Sequence, residues 1–278
     1  DKNIAKSLER KISGDQLQKY SQQLIAVGKN AQWSGRQLTM GLTLPLMVFA
    51  QKATSAYIGL NKEMTRLEKF AGLSPQIKSD QEALARLSAE ARNVGETFAK
   101  TQKVTVGLFA DLAAQGAGTD QIKGMDDTLK ALGYTSAQVK KGVSEVGLAA
   151  HEIEKISVLG NIDLAPAQQL FRVLKATLPA LGSYADQVKA VDDELNTFNM
   201  IENKTAIFLD GLSTSFPKVA ANAQEFGLSI ADTAAILAGL YQRIPEADAN
   251  ANALKFAFGK MIVPTKAFSD ALDKALGK

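Results

Sequence analysis

The sequence predicts an all-α protein, and three observations lead to this fold class. Hydrophobic residues make up 46% of the 278 residues but aromatic residues only 6%, so alanine and leucine supply most of the apolar surface. That balance favours closely packed helices over a sandwich or a barrel. Apolar residues also recur at spacings of three and four, and glycine and proline separate the segments that show this period.

The first predicted helices carry narrow apolar stripes. One stripe has the 3-4-3 spacing of a coiled-coil seam, a second runs from Phe49 to Ala71 before Gly72 stops the helix, and a third follows Ser74-Pro75. The seam residues of the first stripe are Leu17, Tyr20, Leu24 and Val27. We therefore expect an extended, coiled-coil-like helical arm over residues 1–72, with an apolar segment from Met40 to Ala50, and a multi-helix core over residues 73–278.

Shorter helices are predicted in the middle of the chain. Gly116-Ala117-Gly118 is read as a loop, and Gly133 as the end of a short helix. Ser136 is expected to cap one longer helix that reaches Ile153. Pro166 suits the first turn of the next helix, and a break is expected from Leu178-Pro179 to Gly182-Ser183.

The C-terminal third has the clearest signals of helix ends and helix starts. Phe216-Pro217 is read as a helix end with a buried ring, since proline lacks the backbone N–H that a helix interior needs. Phe226-Gly227 is read as a second helix stop. Ser229 with Asp232 fits a capping box that starts another helix.

Catalytic chemistry finds little support in the residues. There is no cysteine, which removes thiolate nucleophiles and thiolate metal ligands. His151 is the only histidine, and it is read as a polar position on a helix. The acidic runs Asp126-Asp127 and Asp192-Asp193-Glu194 are read as solvated helix surface, because adjacent helical residues do not share a face. Gly259-Lys260 lacks the earlier glycine of a nucleotide loop. We expect no enzyme, no cofactor and no metal site.

Charge and hydropathy bound the possible partners. The net charge is +3, and the excess lies in residues 1–41, which hold seven Lys or Arg against three acidic residues. These are not clustered, so a solvated coiled coil is favoured over binding of DNA or anionic lipid. The Met40–Ala50 segment spans about 11 residues, whereas a membrane helix needs about 18. It is read as a helix contact. The chain starts at Asp1 without a leader, and a piece of a longer protein is expected.

The C-terminal pattern resembles a known family. Thr205-Ala206-Ile207-Phe208-Leu209-Asp210-Gly211-Leu212, followed by the proline, glycine and capping-box signals and then by Val263-Pro264-Thr265-Lys266, is similar to the core region of bacteriophage tail tape measure proteins. The segment from Arg36 to Leu46 is similar to that family's opening segment. Both matches stand in the family's order.

The resemblance implies a structural role and a set of partners. Such a protein would form homo-oligomers inside the tail tube of the virion, after assembly in the host cytoplasm. It would set tail length and leave ahead of the DNA. Tail tube proteins, tail tip or baseplate proteins and tail assembly chaperones would be its partners, with possible contact to the host membrane on ejection and no sequence-specific nucleic acid. The alternative is a membrane-active helical pore or injected effector that assists DNA passage.

The candidate contact residues are apolar positions on the predicted stripes and at the helix ends. Trp33 is either a packing anchor or an interface anchor, and the residues alone do not separate the two. The full set of possible partner or helix-packing contacts is Leu17, Leu24, Trp33, Leu44, Pro45, Phe49, Leu60, Leu67, Phe216 and Phe226.

Overall fold

The structure is a computed structural model, and it describes residues 44–179, 181–205, 207–262 and 274. Within these residues the chain is helical and holds no strand, only an isolated bridge between Gln121 and Ser144. The predicted all-α class is confirmed. The helices are α1 (Leu44–Phe70), α2 (Lys78–Thr97), α3 (Gln102–Ala114), α4 (Asp126–Ala131), α5 (Ser136–Lys141), α6 (Glu145–Leu159), α7 (Leu164–Thr177), α8 (Tyr184–Lys204), α9 (Leu209–Glu225), α10 (Ile230–Tyr241) and α11 (Ala247–Ile262).

The described helices group into two compact units. The first contains α1, most of α2, and α3, and the second contains α4 to α11 together with residues 96–99. Gly72, with φ +67°, follows the end of α1 as the sequence predicts. The predicted division into an arm and a core at this residue stays a prediction.

In the first unit, α1 and α3 run parallel and in register. A Cβ built at Gly59 would lie 3.0 Å from the Lys103 side chain, and one at Gly107 would lie 3.4 Å from Glu63. Arg66 continues the register by reaching Asp111 at 2.5 Å. The chain therefore reverses twice between α1 and α3, through α2. The buried side chains of this unit include Leu67, Leu87, Ala91, Val94, Val106 and Phe109.

One predicted helix at the start of the second unit is wrong. The single helix expected from Ser136 to Ile153 is two helices, α5 and α6. Gly142 interrupts them because its φ of +88° lies in the left-handed region that glycine adopts without strain. Ser144 then caps α6 by accepting a hydrogen bond from the Gly147 N–H at 3.0 Å. The cap of α5 is Thr135, which forms a capping box with Gln138.

Three helices of the second unit run parallel: α7, α9 and α11. At their C-terminal ends, Gln224 donates to the Thr177 carbonyl at 3.4 Å, and Phe226 stacks on Phe258 with centroids 5.5 Å apart. At the other end, a Cβ built at Gly211 would lie 3.6 Å from Ala247 Cβ. The N-termini of all three helices therefore meet at one end of the unit.

Pro217 is a second correction, because it lies inside α9 and does not end it. Proline removes the hydrogen bond that its nitrogen would donate to the Ser213 carbonyl. Packing outweighs this loss, since Phe216 is buried and its ring meets Phe198 edge-on at 5.2 Å. Ser213 and Ser215 also bond their hydroxyls to carbonyls of the preceding turn, a pattern common near bends.

The other predicted boundaries are close to those observed. Gly133 and Gly227 have positive φ just after α4 and α9, and Ser229 with Asp232 forms the capping box of α10. The loop at 116–118, the first-turn position of Pro166 and the break before α8 are also confirmed. The helix expected at Ser74-Pro75 begins a turn later, at Lys78. Val263 to Lys266 lie outside the described residues.

Candidate partner-contact surfaces

Six of the predicted contact residues fall where side chains are not described. Leu17, Leu24 and Trp33 lie outside the described residues. Leu44, Pro45 and Phe49 lie in the first two turns of α1, where the structure describes the backbone alone. Their part in any contact stays a prediction.

The remaining four residues lie in different places and do not form one site. Leu67 is fully buried in the first unit. Leu60 lies seven residues earlier on the same side of α1 and is half-buried. Phe216 is buried in the second unit. Phe226 is different, because 46% of it remains exposed although its ring stacks on Phe258. Leu67 and Phe216 therefore serve helix packing, and the contact of Phe226 with a partner stays a prediction.

Residues 51–58 of α1 form an exposed helical surface. α3 begins at Gln102, one residue before the Lys103 that lies against Gly59, so earlier residues of α1 extend beyond the start of α3. Seven of the eight residues from 51 to 58 are exposed, including Tyr57 at 42% and Ile58 at 61%. Large apolar side chains on a helix surface are a usual sign of a contact with another element.

A groove of about 430 Å³ lies between α1 and α2 in the first unit. Its wall includes the apolar side chains of Met64, Leu73 and Leu84, and Glu68 and Arg92 stand among its charged lining residues. This volume is near the lower end of the range for ligand pockets. It has room for one or two side chains of a partner.

A second groove, of about 760 Å³, lies where the N-termini of α7, α9 and α11 meet. Four carboxylates line it: Asp163, Asp210, Glu246 and Asp248. Each helix N-terminus carries about half a positive charge from its aligned peptide dipoles, and an acidic side chain in the first turn offsets it. Three parallel N-termini at one place need several such offsets. Offset of the helix dipoles therefore accounts for this acidic groove without a ligand.

A buried polar cluster joins α6 to α8 in the second unit. Glu152 on α6 is only 1% exposed, and Lys155 Nζ lies 3.8 Å from its Oε1. Lys155 also donates to Asp192 Oδ1 on α8. Burial raises the pKa of Glu152 to about 8, and the Lys155 charge only partly opposes that rise. Burial lowers the pKa of Lys155, but its bonds to Asp192 and the charge of Glu152 outweigh this and raise it overall.

His151 adjoins this cluster and is held by two rings. The Phe98 ring lies edge-on to the imidazole at 4.9 Å and the Tyr134 ring lies at 4.8 Å. Burial, helped by the charge of Lys155, lowers the pKa of His151 to about 4. The imidazole is therefore neutral at neutral pH and acts as a packing group. Neither groove is lined by His151, Glu152 or Lys155.

Asp192 corrects the reading of its acidic run as solvated surface. Its side chain is 8% exposed and pairs with Lys155, whereas the neighbouring Asp193 is 60% exposed. Asp192 follows Val188 by four residues and precedes Leu195 by three, so it shares their buried face. The pair Asp126-Asp127 is exposed in the first turn of α4, as expected.

Sequence reasoning missed two exposed phenylalanines. Phe256 is 67% exposed, with Lys260 Nζ 5.2 Å from its ring centroid, and Phe208 is 63% exposed just before α9. The exposure of Phe256 could have been predicted from its position on the helix. It stands two residues before Phe258, which faces the core, and helical residues two apart point to different sides.

The described residues offer neither a metal site nor a membrane-spanning helix. Among them, no group of three or more histidine, cysteine or acidic side chains is arranged to hold a metal ion. None of the described helices combines the length and the apolar character needed to cross a bilayer.

Comparison with known proteins identifies the family. Residues 127–277, more than half of the chain, match the family of phage-related minor tail proteins. This stretch covers nearly all of the second unit, from α4 through α11, and it contains the proline, glycine and capping-box signals of the C-terminal third. Curated proteins and solved structures gave no match. The chain belongs to the phage-related minor tail protein family.

Proposed function

We propose that this chain is part of a tape measure protein, the component that sets tail length during assembly inside the tail tube and leaves ahead of the DNA. Membership of the minor tail protein family supports a structural role in the virion. The finer assignment draws on the resemblance of the C-terminal third to tape measure core regions. No catalytic role is part of the proposal.

The observation that carries the proposal is the helical nature of the chain, with α1 as the longest case. Its 27 residues correspond to about 40 Å, because an α-helix rises about 1.5 Å per residue. A helical segment laid along an axis converts residue number into distance with little variation. Such a segment is suited to measuring length.

The partners follow from the same role. Copies of the chain would associate with one another within the tube, since exposed apolar helix surface in one copy can be covered by the next. Tube proteins, tip or baseplate proteins and assembly chaperones would contact the assembled copies. The exposed residues 51–58 of α1 and the half-exposed Phe226 are described surfaces suited to such contacts.

An in-frame deletion of residues 74–101 in the parent gene tests the proposal. The 28 residues span about 42 Å if they form one helix along the tube axis. Electron microscopy of the variant tails should then show shortening by about that amount. As a control, the same residues are replaced by 28 residues of an alanine-rich helical sequence, which should restore the length.

The alternative results are informative. Tails of unchanged length after the deletion would contradict a measuring role for this region. If the control also fails to form tails, the deleted residues act in assembly through their own side chains. Tail length is then measured with a deletion elsewhere in the chain.

A further inference from the structure

The outward side of α11 carries small, uncharged side chains that lead to one large ring. The opposite side packs within the second unit through Ala251 and Phe258, which are 0% and 4% exposed. The outward residues, all exposed, are Ala249, Asn252, Ala253 and Phe256. They stand at positions i, i+3, i+4 and i+7, which lie on one side of a helix. Phe256 is 67% exposed, more than any other large apolar side chain that the structure describes. A helix that remained in water on this side would be expected to carry charged residues there.

The charges of α11 are separated by sign along its length. Glu246 and Asp248 stand at its start, and Lys255 and Lys260 lie in its C-terminal half. Asp248 already pairs with Lys218 of α9 at 2.7 Å, whereas Glu246 is exposed beside the first turn. A second helix of the same sequence that runs antiparallel would bring its lysine end to this acidic end. The dipoles of the two helices would then point in opposite directions, which is the favourable arrangement.

We infer that the outward side of α11 binds a second copy of the chain, with the two α11 helices antiparallel about a twofold axis between residues 252 and 253. Phe256 and Ala249 lie equally far from that point on either side, so the ring of each copy meets the alanine of the other. The same contact therefore occurs twice, as a twofold interface requires. This register also places Lys260 within one residue of the position opposite Glu246 of the second copy. The inference names a surface and an orientation, and it does not rest on the proposed role in tail length.

The size of the surface determines how strongly two copies associate through it. The 16 residues of α11 span about 24 Å, and a strip about 10 Å wide along them offers roughly 240 Å² on each copy. Stable association of separate proteins commonly buries about 800 Å² on each partner. The pair is therefore weak and short-lived for free copies, and it becomes persistent where other contacts already hold the copies together. A test has to trap the pair covalently.

A disulfide-trapping experiment tests the inference in the full chain. Because the protein has no cysteine, Asn252→Cys introduces a single thiol beside the proposed axis. Ala249→Cys introduces one on the same side of the helix, but about 10 Å along the helix from its counterpart in the second copy. A disulfide requires the two Cα atoms to lie within about 7 Å of each other. At equal protein concentration under mild oxidation, disulfide-linked dimer should form about tenfold faster at position 252 than at position 249.

Substitutions in the Asn252→Cys chain complete the design. Phe256→Ser removes the ring from the contact, and it should slow trapping to the rate at position 249. Phe208→Ser makes the same change at another exposed phenylalanine, 63% exposed, and it should leave trapping as it is. Lys260→Glu should slow trapping about threefold, as expected for an exposed ion pair, and Glu246→Lys added to it should restore the rate. Circular dichroism confirms that each variant keeps its helical content.

Three results would overturn the inference. Equal trapping at positions 252 and 249 would indicate a parallel pair or random collision. Trapping at position 252 that is unchanged by Phe256→Ser would place the contact on another surface. A thiol at position 252 that forms no dimer and resists maleimide would show that another part of the same chain covers the helix. None of these results bears on tail length, which the deletion of residues 74–101 measures separately.

Discussion

Replacement of Glu152 by glutamine should remove a pH dependence from the stability of the second unit. The folded unit raises the pKa of this carboxyl to about 8 from an ordinary value of 4.5. Between these values the folded state holds a proton that the unfolded state has released. Since stability falls with pH wherever the folded state binds more protons, Glu152 lowers the free energy of unfolding by about 1.4 kcal/mol per pH unit across this window.

His151 acts in the opposite direction at lower pH. Its pKa is lowered to about 4 from an ordinary value of 6.5, so the unfolded state binds the extra proton and stability rises with pH in that interval. The two effects nearly cancel from about pH 4.5 to 6.5. Of these two groups, only Glu152 continues to change above pH 6.5, and its titration should lower the free energy of unfolding by about 2 kcal/mol between pH 6.5 and 8.

Hydrogen exchange of α6 and α8 peptides measures this change within the second unit. After correction for the intrinsic effect of pH on exchange, protection should decrease about thirtyfold from pH 6.5 to 8, which corresponds to the same 2 kcal/mol. In Glu152→Gln the protection should stay level over that interval, because an amide does not titrate. Below pH 6.5 the same variant should show the rise caused by His151.

The control substitution lies away from the groups that surround Glu152. Lys155 lies on the same helix, and Asp192 faces it from α8. Glu246→Gln makes the same chemical change at an exposed carboxyl, and it should leave the profile between pH 6.5 and 8 as it is. If Glu152→Gln and the native chain lose protection equally in that interval, the buried carboxyl does not retain its proton and the reasoning is wrong.

Two further substitutions test the packing of α9. Phe216→Ala removes a buried ring in contact with Phe198, and it should lower the free energy of unfolding, measured in urea, by about 3 to 5 kcal/mol. The same change at the half-exposed Phe226 should lower it clearly less. Equal losses at the two positions would contradict the assigned burial. Pro217→Ala restores a helix donor, a gain of about 3 kcal/mol, against a loss of about 1 kcal/mol from a freer unfolded chain. Its free energy of unfolding should therefore rise by about 2 kcal/mol, whereas a decrease would mean that the packing of α9 requires the proline.

Helix ends were predictable where one residue type determines the backbone. Gly72, Gly133 and Gly227 all have positive φ, which other residues adopt only with strain. The box of Ser229 and Asp232 was predictable for a similar reason, since both hydrogen bonds are local. Signals of this kind do not depend on the rest of the fold.

The errors arose where tertiary packing decides between two local possibilities. Gly142 could stand within a helix or interrupt one, and the cap at Ser144 with the bridge to Gln121 favours the interruption. Pro217 could end a helix or lie within it, and the burial of Phe216 favours continuation. In both cases the deciding contact lies outside the pattern that sequence analysis reads.

The buried cluster shows the same limit for a site. The contact of Lys155 with Glu152 could be predicted from sequence, because the two residues are three apart, a spacing at which helical side chains meet. Asp192 lies 37 residues later on another helix, and its partner cannot be found from local spacing. What could be read from sequence is that Asp192 shares a face with Val188 and Leu195. That position indicates burial more strongly than the neighbouring charges indicate exposure.

The arrangement of the first unit places a condition on any measuring role. Gly59 lies against Lys103, and Arg66 reaches Asp111. The 43 or 44 residues between the members of each pair therefore return the chain to nearly the same position along the axis of α1. In this conformation they add almost nothing to the distance along α1. A length of about 42 Å from residues 74–101 therefore requires α2 to leave the side of α1 and α3. The apolar side chains that this exposes, Leu67, Leu87 and Phe109 among them, would then need cover from neighbouring copies in the tube. Tail shortening by the full helical length would accordingly be evidence for association between copies as well as for extension of each chain.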